Sequence, residues 1–346
     1  MRVIYDKVRD GIRILRWFSY DGQVEIPEQI CGHTVRELGP YVFSQTVRRV
    51  MPGEKFQVDL GWEEDKDVLQ DFEQPAGEEL LQAGSFEDGT PAMQGDMLLS
   101  LSLPSGLRKI GAYAFYNCGE LKRLRFWGHI QDLGAGLFTG CGGIGYLDII
   151  LPLKGKSCFK EVLAELRQTL RVTCLDEKGE ISAKLLFPEY YEESIENTPA
   201  RILTQEMHGC GHRYRNAFNG TEFQYLTYDK LFPHIQVQEK PELAAELVLG
   251  RLMYPLQLDP ARREIYEAYA AEHGRELFRA AKEGKDEKAL GFASGAPWCS
   301  MACLDDMIEE GRRRGDALAL GILMEARRKK GGIQQSMEGK KRRFTL

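Results

Sequence analysis

The chain has 346 residues, long for a single core, so two or three domains are expected. Its 43% hydrophobic and 28% charged content places it among ordinary globular proteins with enough apolar residues to bury real cores. A formal net charge of -6 argues against a nucleic-acid platform covering the whole protein, and eight cysteines without a CxxC pair imply no disulfide scaffold.

The N-terminus, Met1 to Lys7, carries charges where an export signal would need an apolar stretch. No segment reaches the ~18 uninterrupted apolar residues of a membrane span. Together these point to a cytoplasmic protein with no membrane partner. Val3-Ile4-Tyr5 and Ile12 to Leu15 flank Arg9-Asp10-Gly11, and Asp-Gly is a strong turn signal, so the chain is expected to open with a hairpin. Residues 44–97 hold no clear repeat frame. From Glu54 to Met97 the only cations are Lys55 and Lys66, against runs such as Glu63-Glu64-Asp65, which predicts a degenerate repeat with an acidic, partly flexible insertion.

A repeat follows. Leu107 to Cys118 superimposes on Ile130 to Cys141, and one constant offset relates Ile110 to Leu133, Phe115 to Phe138 and Cys118 to Cys141. The same offset carries Leu98, Leu101 and Leu103 onto Leu121, Leu124 and Phe126, and those onto Ile144, Leu147 and Ile149. Each LxxLxL frame supplies a short strand whose alternate side chains point inward. The Ile-Gly-Ala-Tyr-Ala-Phe stretch then turns the chain and drops Phe115 into the next layer. Gly111 and Gly134 are expected at turn positions with unusual backbone angles. One unit cannot bury its apolar face alone, so the expected fold is a stacked solenoid.

Leu103-Pro104-Ser105-Gly106-Leu107, continuing through Ile110-Gly111-Ala112-Tyr113-Ala114-Phe115 to Cys118 and Leu121, resembles the bacterial BspA-like leucine-rich repeat. Ile26 to Phe43 resembles the opening unit of such arrays, with the preceding hairpin as its cap. The resemblance covers roughly residues 1–45 and 95–150. It implies the solenoid fold but says little about function, since the family includes secreted adhesins and many proteins of unknown role. Trp127 stands where the repeat usually has proline and Leu137 where it has alanine, which predicts a distorted third turn.

After Ile149 the pattern changes. Ser157 to Leu166 has helical spacing with a serine cap, Leu170 to Leu175 alternates as a strand, and Ile181 to Phe187 returns after Glu177-Lys178-Gly179. This predicts a small α/β cap, followed by an aromatic and polar connector from Pro188 to Pro233. Helices are expected over Pro241 to Met253 and from Asp259-Pro260, with Asp as N-cap and Pro at the first helical position. More are expected around Leu277-Phe278, Ala289-Leu290, Met301 to Ile308 and Ala317 to Ala326. Ala289-Leu290-Gly291 recurs as Ala319-Leu320-Gly321, pointing to ankyrin-like helical hairpins or to generic helical packing. The whole is therefore read as an α+β protein: a short leucine-rich-repeat β-solenoid over 1–150, an α/β cap and connector over 151–235, an all-α helical-repeat-like domain over 236–330, and a basic tail over 331–346.

His208-x-Cys210-x-His212 offers up to three zinc-competent ligands, or a Cys–His pair for a hydrolase. The spacing fits no known finger, no fourth ligand lies nearby, and no GxSxG, HExxH or phosphate-binding loop accompanies it. The main expectation is therefore a non-catalytic protein-interaction module without cofactor or nucleic-acid partner. Its outward strand residues Arg123, Arg125, Trp127 and Tyr146 are the candidate contacts, because Arg, Tyr and Trp combine area with polar reach. A zinc-binding or Cys/His-dependent hydrolase and a surface adhesin are the alternatives.

Overall fold

The structure is a computed structural model describing residues 1–46, 52–60, 73–86, 88–151, 156–197, 202–284 and 287–343. It divides into two units, residues 1–181 with 189–223, and residues 182–188 with 224–346.

The first unit is a β-solenoid. Strands β1 (Arg2–Val8) and β2 (Gly11–Phe18) form the expected hairpin, and β3 (Gln23–Glu25), β4 (Gln29–Ile30) and β5 (His33–Leu38) complete the first rung. Phe56–Asp59 (β6), Gln74–Pro75 (β7) and the short helix α1 (Glu79–Gln82) follow, from the segment expected as an acidic insertion. Next come β8 (Ser100–Ser102), β9 (Lys109–Ile110), β10 (Arg123–Trp127), β11 (Asp132–Leu133), β12 (Tyr146–Ile150), α2 (Phe159–Glu165) and β13 (Leu170–Leu175). Two sheets result. One runs β11-β9-β5-β2-β1-β6-β7; the other runs β13-β12-β10-β8-β3, parallel throughout.

Register shows why the apolar residues recur. Val24, Leu101, Leu124, Leu147 and Val172 are paired neighbours across the second sheet, all within 4% of full burial. At the far corner Phe43, Phe115 and Phe138 stack in sequence, at 5.9 and 5.7 Å between centroids. The Cys118 thiol donates to the Phe43 carbonyl at 3.3 Å and the Cys141 thiol to the Phe115 carbonyl at 2.9 Å. Burial pushes the Cys141 thiol up to about 12, so it remains a proton donor at neutral pH.

Four expectations are corrected. The solenoid does not stop near residue 150: β13 pairs with β12 from Tyr146↔Arg171 to Ile150↔Leu175, so the supposed cap contains the last rung, with α2 in place of a first-sheet strand. Gly111 and Gly134 have ordinary φ. Their requirement is closeness, since a Cβ would lie 2.4 Å from Pro40 N and 2.2 Å from Ala112 N on the preceding rung. The third turn is not distorted: Gly136 (φ 65°) repeats the left-handed conformation of Tyr113 (φ 56°), and Leu137 is buried where Ala114 was. Finally, the described part of 44–97 is structural. Strand β6 pairs antiparallel with β1, and Leu81 joins Ile4, Leu15, Phe18 and Ala92 in one apolar cluster. Buried Arg16 donates to Ser44 O at 2.7 Å and also to Gln94 Oε1, drawing the two ends of the insertion together. The Glu63-Glu64-Asp65 run lies outside the described residues.

The expected connector also contributes to the first unit. A hairpin of β15 (Tyr191–Asn197) and β16 (Ile202–His208) is followed by α3 (Gly211–Arg215) and a second hairpin, β17 (Phe218–Asn219) with β18 (Glu222–Phe223). Phe218 and Phe223 pack on Phe159 of α2, and buried Arg215 donates to Leu166 O and Gln168 O. These contacts cover the apolar end of the last rung, as an open stack requires.

The second unit begins with β14 (Ile181–Phe187), then α4 (Tyr225–Lys230), α5 (Phe232–Gln238), α6 (Pro241–Met253), α7 (Pro260–Glu272), α8 (Gly274–Glu283), α9 (Glu287–Gly295), α10 (Met301–Arg314) and α11 (Ala317–Arg343). The Asp259 cap forms as expected, accepting from Ala261 N at 3.0 Å. Helix α6 packs on α8, α8 on α10 and α9 on α11. The offset that relates Ala289 to Ala319 also runs through the inner helices: Leu247, Leu277 and Met307 are buried, and so are Val248, Phe278 and Ile308. The backbone of the expected basic tail continues α11 as far as Arg343. Among the described residues no helix is long and apolar enough to cross a membrane.

Candidate functional site

Alternation in a strand sends successive side chains to opposite faces. With Leu124 and Phe126 inward, Arg123, Arg125 and Trp127 face outward, and the parallel register aligns each with a residue of the neighbouring rung. One row reads Gln23, Ser100, Arg123, Tyr146, Arg171; the next reads Glu25, Ser102, Arg125, Asp148, Thr173. Neighbouring strands lie about 4.8 Å apart, so residues of one row touch.

Tyr146 lies between two guanidinium groups, with the Arg123 carbon 5.1 Å and the Arg171 carbon 5.7 Å from its ring centroid. Arg123 also reaches Asp148, Nη1 to Oδ2 at 2.7 Å. An exposed pair of this kind contributes about 0–1 kcal/mol, so it orients Arg123 more than it stabilises the fold. Arg125 is exposed and makes no ion pair among the described residues. The acidic residue paired directly with it, Asp148, is engaged by Arg123. The face therefore carries an excess of positive charge around an aromatic ring, flanked by the short side chains Ser100 and Ser102.

The outward face of the other sheet differs. A groove of about 330 Å³ there is lined by Arg13, Glu37, Lys109 and Asp132 among others. Arg13 forks onto Asp6 and lies 3.4 Å from Glu37, and Lys109 is 2.6 Å from Asp132. Its charges already answer one another, whereas Arg125 on the second sheet has no such partner among the described residues.

Three of the four expected contacts, Arg123, Arg125 and Tyr146, come together on this face. Trp127 lies at its margin, half-buried, with its ring 5.6 Å from His129. Arg171 is the member that sequence reasoning missed. The offset that carries Arg123 onto Tyr146 does not carry Tyr146 onto Arg171, because α2 replaces a turn and lengthens the last rung. The alternation Leu170, Val172, Cys174 was the available signal.

His208, Cys210 and His212 do not converge. His208 ends β16, stacks on Tyr191 at 4.6 Å and approaches Glu193 Oε2 at 3.2 Å. Gly209 then takes φ 82° and turns the chain into α3, where Cys210 is buried and His212 lies 3.3 Å from Gly209 O. Among the described residues no three His, Cys, Asp or Glu side chains come together in a metal-binding arrangement.

Residues 91–169 match the family model described as the BspA type leucine rich repeat region, in six copies. Comparison with curated proteins gives no match, and comparison with solved structures gives none.

Proposed function

We propose that this protein is a non-catalytic interaction module and that the outward face of β10, β12 and β13 receives a protein partner. Leucine-rich-repeat solenoids generally serve as protein-interaction modules, and residues 91–169 form one. The observation that carries the assignment is the Arg123–Tyr146–Arg171 row beside Arg125, an aromatic and cationic patch of the kind that dominates interface energetics. The helical hairpins of the second unit, with their buried residues recurring at one offset, are read as a helical-repeat array offering further surface. Buried thiols at Cys118, Cys141 and Cys158 suit a reducing compartment, and we assign the protein to the cytoplasm.

The test is site-directed photo-crosslinking in host cells. A photoreactive residue at Ser102, on the proposed face, should give one discrete adduct that disappears with Arg125→Glu and Arg171→Glu. The same residue at Lys109, on the other sheet, should give none. Equal adducts from both positions, or an adduct indifferent to the charge reversals, would place the partner elsewhere.

A further inference from the structure

The hairpin of β17 and β18, which helps to cover the last rung, carries the chain's one Asn-Gly pair, Asn219-Gly220. Asn219 ends β17 and Glu222 opens β18 as its Cα partner, so Gly220 and Thr221 make a two-residue turn. Gly220 takes φ 62°, the left-handed corner that such a turn needs. Asn219 is exposed, and its side-chain amide makes no hydrogen bond among the described residues. The Gly220 N–H has no acceptor among them either, and nothing lies within 4 Å of where a Cβ on Gly220 would stand. Asn216 and Asn117 differ at each point. Asn216 Nδ2 donates to His212 O at 2.9 Å, and the next nitrogen, Ala217 N, donates to Tyr214 O at 3.3 Å. After Asn117, Cys118 N donates to Phe115 O at 3.1 Å.

We propose that Asn219 is a self-modifying site, converted by the Gly220 nitrogen and water to aspartate and isoaspartate, and that this change loosens the hairpin from the last rung. The Gly220 nitrogen attacks Asn219 Cγ, a carbon–nitrogen bond forms, and the nitrogen gives its proton to solvent base. The bond from Cγ to Nδ2 breaks, and ammonia leaves with a proton from water. The five-membered imide then adds one water at either carbonyl, and the ring carbon–nitrogen bond there breaks. Opening at the side-chain carbonyl gives aspartate; opening at the main-chain carbonyl gives isoaspartate. Overall one amide and one water give one carboxylate and one ammonium ion. The first step needs a nitrogen that is neither crowded by a Cβ nor held in a hydrogen bond that must first be broken. Both products act on the hairpin. A carboxylate at 219 faces Glu222 directly across the ladder, where like charges repel. Isoaspartate also adds a main-chain carbon before the turn and disturbs the register of Phe218 with Phe223. Those two rings pack on Phe159 at 5.6 and 5.7 Å between centroids, so the end of the solenoid loses cover.

The full-length protein is aged at mildly alkaline pH in heavy-oxygen water, returned to ordinary water, digested with trypsin and mapped by mass spectrometry. Asn216 to Lys230 is released as one peptide, so Asn216 and Asn219 are compared within it. The expected product carries one heavy oxygen at residue 219 and none at 216. It should contain aspartate and isoaspartate together, the mixture that marks the imide. Amide hydrogen exchange across α2 should quicken in the aged protein and stay slow in Asn219→Gln, whose longer side chain closes the ring poorly. An intact Asn219, or equal conversion at Asn216, would overturn the site. Conversion with unchanged exchange in α2 would overturn the loosening. The wild-type time course decides both points even if Asn219→Gln fails to fold.

Discussion

The rings of Phe115 and Phe138 stack at 5.7 Å with only 22° between their planes, one rung above the other. Phe43 continues the column below Phe115. A residue in such a column is held by its neighbours in the adjacent layers, so its loss is felt beyond its own rung.

Phe115→Ala should cost about 3–5 kcal/mol, the usual range for emptying a fully buried aromatic site. Phe138→Ala should cost a similar amount. The double variant should lose roughly 0.5–1.5 kcal/mol less than the two losses combined, because each single change already removes the ring contact. Urea unfolding of the four proteins checks this. Strict additivity would mean that the layers do not support one another.

Gly134→Ala should destabilise by about 1–3 kcal/mol, since the new methyl would meet backbone that cannot swing aside. Gly142→Ala is the control. Nothing lies within 4 Å of its added Cβ, and its effect should stay within ~0.5 kcal/mol. Equal midpoints for the two variants would contradict the close-approach account.

In the helical unit, Arg251 and Asp229 are both fully buried and paired at 2.8 and 2.9 Å, with Tyr266 donating to the same carboxylate at 2.9 Å. Asp229→Ala leaves a guanidinium buried without its counter-charge and should cost about 3–5 kcal/mol. Combining Asp229→Leu with Arg251→Met should recover most of that loss, because no charge then remains to be solvated. Thermal denaturation of the two variants separates these outcomes.

Glu310 is nearly buried and accepts from Arg279, Arg313 and Arg314 at 2.8–3.0 Å. The Arg279 hydrogen bond, with Arg313 next, holds its carboxyl down to about 2, against about 4.3 for an unperturbed glutamate. A depressed folded value means that its stabilisation is fully present above the unfolded value and is lost as pH falls toward 2. Glu310→Gln should therefore be less stable than wild type at neutral pH and should flatten the acid limb between about pH 4 and 2. Far-UV circular dichroism against pH is the measurement, and an unchanged acid limb would mean that the cluster is not coupled to folding.

Much of the solenoid was legible in the sequence because each rung contacts only its neighbours. Leu101, Leu124 and Leu147 recur at a fixed offset since they occupy the same position in successive layers, and the alternation around them separated Arg123 and Tyr146 from the core. Local chemistry likewise marked the Asp259 cap and the opening hairpin. The recurrence in the helical unit showed at Ala289 and Ala319 and was hidden in the inner helices, where Leu247, Leu277 and Met307 share burial but not identity.

What the chain alone determined, then, is the set of relationships carried by short-range periodicity. Tertiary structure decided those whose partners are distant or lack a shared spacing. Val24 meets Leu101 across the long insertion, and Tyr146 meets Arg171 across a helix that breaks the offset. Lys330 reaches Cys299 from another helix, and Gly134 is small because of the Ala112 backbone on the rung before it. Period and propensity are properties of consecutive residues. Proximity between separated residues exists only after the layers have stacked, and the candidate face of Arg123, Tyr146 and Arg171 depends on it.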